Sequence, residues 1–141
     1  MPQWLVYALL SAASAAFVGI FGKIGMKGID SSLATAVRSV VMAVFLLAAC
    51  TVMGLLNKIP SLHSKALGAI VLSGVAGAVS WLFYFRAIQV GTVSQVAPID
   101  KLSVALAVVM AFTFLGEKPT TGNVLAAILV TAGVLVAVFV R

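Results

Sequence analysis

An acid and a base stand side by side at Asp100 and Lys101, just after Pro98, inside a stretch that is otherwise apolar enough to cross a bilayer. A carboxyl group can exchange a proton when burial moves its pKa, and the neighbouring ammonium can pair with it or with an anion. Placing Asp, Lys or Arg at the centre of a spanning helix costs roughly 2.5–3.5 kcal/mol per residue on insertion scales, so such groups face protein or water and mark a polar site. Ser103 adds a hydroxyl to the same stretch. Pro98 has no N–H to give to the Ser94 carbonyl and so kinks or loosens the helix just before the acid. Consecutive helical residues point about 100° apart. The spacing therefore predicts that one of Asp100 and Lys101 pairs sideways while the other meets a cavity.

A second set of polar and aromatic residues lies earlier in the chain. Arg38 sits near the start of an apolar segment, where it can snorkel to the interface, since side chains tilt toward the helix N-terminus, or serve a solute or ion pathway. Trp81, Tyr84 and Arg86 close another segment. They either anchor its end in the interfacial belt or line a cavity. His63 and Glu117 read as loop and turn residues, and Cys50, the single cysteine, as a packing residue that can form no disulfide within one chain.

The elements that must position these residues follow from composition. The 141 residues are 63% hydrophobic and 9% charged, with a mean hydropathy of +1.24, which implies an integral membrane protein with almost nothing left for a soluble domain. Spanning helices need about 20 apolar residues, and five fit, over about 4–22, 33–56, 66–88, 93–115 and 121–140. The whole chain thus reads as one five-helix transmembrane domain. Ser11 to Ala16 resembles a signal-peptidase site, but no Lys or Arg precedes it and the apolar run continues, so it reads as retained helix. Asp30-Ser31-Ser32 offers capping chemistry before the second segment.

The net charge of +6 does not point to nucleic acid, because the Lys and Arg residues are scattered and form no basic stripe. They read as membrane-flanking charges. Five spans put the termini on opposite faces. Lys58, Lys65, Lys118 and the terminal amine then fall on one face, against Lys23, Lys27, Arg86 and Arg141 on the other. Four against four gives no orientation by the positive-inside rule. Such a chain can insert both ways round, and two copies would then pack as an antiparallel homodimer with the inverted symmetry common in secondary transporters. Gly122, Ala126, Gly133 and Ala137 share one face of the last helix and offer a seam for close packing. In this topology Arg38 and Asp100 both lie roughly 7–11 Å below one face, so each copy gathers an off-centre polar cluster.

These residues resemble the EamA group of the drug/metabolite transporter superfamily, in its half-size five-helix form. The likeness is carried by Arg38, by Tyr84-Phe85-Arg86-Ala87-Ile88, by Pro98, and by Phe114-Leu115-Gly116-Glu117-Lys118-Pro119-Thr120 before a Gly-containing fifth helix. It covers the whole chain. It implies a ten-helix inverted-repeat transporter, here assembled from two copies, that exports metabolites, amino acids or toxic compounds. Asp100-Lys101 departs from the group, many members of which carry uncharged residues after that proline.

The expectation is an all-α secondary transporter in the lipid bilayer, a multi-pass protein of the bacterial inner membrane, moving a small solute by alternating access with proton coupling. Basic groups outnumber the acid, which favours an anionic or zwitterionic solute. A non-transporting membrane subunit and a flippase component for an anionic lipid are the alternatives. No phosphate loop, nucleophile elbow or metal-ligand spacing is present, so neither an enzyme, a metal nor a cofactor is expected.

Overall fold

The computed structural model describes residues 2–140, which form helices joined by short connections, with no strand among them. In chain order these are α1 (Gln3–Gly25), α2 (Ser31–Val52), a 3₁₀ turn over Leu56–Ser61, α3 (Ser64–Val90), α4 (Val93–Asp100), α5 (Leu102–Leu115) and α6 (Thr121–Phe139). With α4 and α5 counted as one span, five helical segments among the described residues are long and apolar enough to cross a membrane.

The ends of these helices follow from local chemistry. Asp30 caps α2, its carboxylate accepting from the backbone N–H of Ser32 at 2.8 Å and of Leu33 at 3.3 Å. Those donors have no partner inside the helix. Thr92 and Gln95 form a reciprocal capping box on α4, and Thr120 caps α6 through the Asn123 N–H. The second helix ends at Val52 rather than near residue 56, because the chain turns through Gly54 at φ 66° and tightens into the 3₁₀ turn containing Pro60. The fourth segment, expected as one kinked helix, is two helices that meet at Lys101.

Contacts divide the chain after Gln89, with α1 to α3 on one side and α4 to α6 on the other. In the first unit the buried residues are Gly19, Met26, Ser31, Thr35, Phe85 and Ile88. All lie toward the C-terminal ends of α1 and α3 and the N-terminal end of α2, and that end is tied together by polar bonds. The Lys23 ammonium donates to the Ile88 carbonyl, and Gln89 Nε2 donates to the Ile29 carbonyl at 2.9 Å. In the second unit α6 packs against both α4 and α5, and Val134 is buried.

Candidate functional site

In the first unit the site is built around Phe85, which is 1% exposed. The Phe85 ring fits against α1 only because residue 22 is glycine: a Cβ there would lie 2.6 Å from the Phe85 Cε1 and 2.9 Å from Cζ. Trp81 and Tyr84 surround it, with ring centroids 5.7 and 5.9 Å from that of Phe85 and 5.6 Å from each other. These separations are those of favourable tilted and edge-to-face pairs.

Arg38 comes onto this aromatic platform from α2. Its guanidinium carbon is 3.8 Å from the Trp81 ring centroid and 5.4 Å from that of Phe85. A cation over an indole face gains about 0.5–1 kcal/mol when exposed and about 2 when desolvated. The Arg38 side chain is thus held on protein, over the face of Trp81. Ser31 and Thr35 continue the same side of α2, the Thr35 hydroxyl donating to the Ser31 carbonyl at 2.7 Å. A cavity of about 400 Å³ opens beside Arg38, lined by Gly22, Ile29, Leu33, Ala34, Val37 and Phe85 among others. Arg38 supplies its one charged side chain.

Arg86 faces elsewhere. It is exposed, and its Nη1 donates to Gln89 Oε1 at 3.0 Å. That bond links it to the tie between Gln89 and the α1–α2 connection, where Asp30 lies. The two backbone N–H groups of Ser32 and Leu33 hold the Asp30 carboxyl below the usual aspartate range, with a smaller contribution from the Arg86 charge.

In the second unit Asp100 and Lys101 pair with each other, Lys101 Nζ standing 3.4 Å from Asp100 Oδ2. A regular helix would separate these neighbours, as the sequence reading supposed. They meet because α4 ends at Asp100 and the backbone turns at Lys101, whose N–H donates to the Pro98 carbonyl at 3.0 Å. The Ser103 hydroxyl donates to the Asp100 carbonyl at 2.7 Å, within the turn. The side chains of Asp100 and Lys101 remain 36% and 56% exposed. The break thus falls after the acid, and Pro98 lies within α4.

Gly122, Ala126, Gly133 and Ala137 are all exposed on α6. The groove between α5 and α6, about 540 Å³ and almost wholly apolar, is lined instead by Val124, Ala127, Ile128, Thr131, Ala132 and Leu135 on the α6 side. These residues occupy the opposite side of the helix from the four small ones. Arg141 lies outside the described residues.

The sequence profile of the EamA-like transporter family matches residues 2–139. The chain belongs to this family. An uncharacterized transporter encoded in the cobO 3′ region of a Sinorhizobium species is similar to it, at 39% identity over 138 residues that cover 97% of this chain and 98% of that protein. No solved structure matches the chain. Together with the five apolar helices, the family makes this EamA-like chain an integral membrane protein with a transporter's function rather than an enzyme's.

The contact between Gly22 and Phe85 and the buried Ser31–Thr35 pair were not singled out from the sequence. The small residue at 22 and the hydroxyls spaced four apart on α2 were the available signals.

Proposed function

We propose that two copies of this chain, inserted in opposite orientations in the bacterial inner membrane, form a homodimeric secondary transporter that moves a small anionic or zwitterionic solute by proton-coupled alternating access. The observation that carries this reading is the ion pair at the break between α4 and α5. A broken helix frees backbone groups beside a charge, a recurring arrangement at transporter binding sites. In this reading a proton on Asp100 replaces its bond to Lys101, and the freed ammonium is then available to an anion. Protonation and solute binding are thereby linked at one pair of residues.

Dual insertion is supported by the even balance of flanking charge, and close packing of two copies by the four exposed small residues of α6. The test uses purified protein in liposomes loaded with a pH-sensitive dye, challenged in turn with carboxylates, amino acids and quaternary ammonium ions. Proton movement is expected with carboxylates or amino acids and its loss is expected in Asp100→Asn, with insertion unchanged. Equal proton movement in Asp100→Asn refutes the coupling role, and responses confined to the quaternary cations refute the solute class.

A further inference from the structure

The geometry points to the cavity beside Arg38 as the seat of a carboxylate that carries an apolar body, rather than of a small polar zwitterion. This assignment goes beyond the Asp100–Lys101 pair to a second anion site and rests on the transport reading for the solute's passage; the seat itself can be tested as binding alone. Three observations converge. The cavity lies within the first unit and its walls are apolar apart from Arg38. The guanidinium rests on Trp81 and Phe85, and no carboxylate among the described residues pairs with it. An amino acid zwitterion brings an ammonium group as well as a carboxylate, and these walls provide no acid to receive it.

A guanidinium takes a carboxylate through two parallel N–H···O bonds and remains charged at any physiological pH, so it suits this role better than an ammonium would. The aromatic face leaves the edge of the guanidinium, where its N–H groups point, available for such a fork. The size of the ligand follows from the volume. At about 30 Å³ per water in the liquid, 400 Å³ holds about a dozen water-sized groups. That fits an aryl or medium-chain monocarboxylate, whose far end meets the open side of the groove at the exposed Phe21, Leu33 and Val37. An anionic lipid headgroup offers the same charge from a different source, with its chains left outside in the bilayer.

Trp81 is the built-in reporter. The chain has two tryptophans, so Trp4→Phe leaves Trp81 as the sole indole. In that background, purified protein in neutral detergent is titrated with phenylpropionate, with phenylpropionamide as the uncharged isostere, and with dihexanoyl phosphatidylglycerol as the lipid-derived anion. The expected result is a saturable change in Trp81 emission with phenylpropionate, at least tenfold weaker affinity for the amide and for the lipid, and a loss of at least tenfold in Arg38→Gln. Should Arg38→Gln fail to fold, Ala34→Phe fills the cavity from one turn away on α2 while keeping the Arg38 charge. It is expected to keep the parent's gel-filtration profile and to abolish the response.

Equal affinity for acid and amide, or an unaltered response in Ala34→Phe, overturns the assignment. Tighter binding of the lipid overturns its free-solute form. Saturable, Arg38-dependent binding without any proton-linked flux upholds the seat and sinks the transport reading instead. Proton-linked flux of polar amino acids by a protein that does not bind phenylpropionate has the reverse meaning.

Discussion

Replacing Gly22 by alanine forces a clash whose size can be read from the geometry. The new Cβ would stand 2.6 Å from Phe85 Cε1, well inside the roughly 3.5–4.0 Å at which carbon atoms attract. The ring has little room to retreat: Phe85 is 1% exposed, with Trp81, Tyr84 and the Arg38 guanidinium around it. Overpacking of this kind costs about 1–3 kcal/mol. At roughly 3 °C per kcal/mol for a chain of this size, the thermal midpoint in detergent should fall by about 3–9 °C. Phe85→Leu removes the outer ring atoms and should relieve the clash. The double variant should then be less destabilised than the sum of the singles, with a coupling of about 0.5–3 kcal/mol. The cycle is measured by thermal unfolding of the four proteins in one detergent. Additive losses, or a Gly22→Ala midpoint equal to that of the parent, would refute the claim that Gly22 exists to admit the Phe85 ring.

The Asp30 cap carries a pH signature. Its carboxyl is held below the ordinary aspartate value of 3.8 by the Ser32 and Leu33 N–H groups, so its stabilisation is fully present above that value and is lost as pH falls through the lowered folded-state pKa. Asp30→Ala should therefore melt below the parent at pH 7, and the gap should narrow toward pH 3; a gap that does not change with pH contradicts the role of the ionised cap. On α6, Gly133→Leu places a large side chain on the proposed seam and should shift the detergent-solubilised protein from dimer to monomer in light scattering, whereas Ile128→Ala in the groove opposite should not. A dimer that survives Gly133→Leu moves the interface elsewhere. With Cys50→Ser and a cysteine appended after Arg141, an impermeant thiol reagent should label about half the protein from outside intact cells if orientation follows the balanced flanking charges; labelling of all or none excludes dual insertion.

The five spans were legible because a bilayer demands long apolar runs and the polar joints between them are short. The Asp30 cap was legible for a similar reason, its chemistry being local to Asp30-Ser31-Ser32. The break in the fourth span was anticipated only in part. Pro98 deletes one hydrogen bond, but the bonds from the Lys101 N–H to the Pro98 carbonyl and from Ser103 to the Asp100 carbonyl fix where the backbone turns, and the adjacent charges meet there.

The aromatic seat of Arg38 was beyond sequence periodicity for a deeper reason. In water, an apolar stripe tells which face of a helix is buried; in lipid both faces are apolar, and hydropathy no longer separates inside from outside. The buried residues of the first unit show what replaces it: Gly19, Ser31 and Thr35 are enclosed, while Leu9, Phe45 and Leu72 are more than half exposed. Small residues allow helices to approach, and hydroxyls can satisfy themselves on their own helix, as Thr35 does on the Ser31 carbonyl. In the first unit small and hydroxyl residues thus share the interior with Met26, Phe85 and Ile88, and Phe85 is buried because Gly22 leaves space for it.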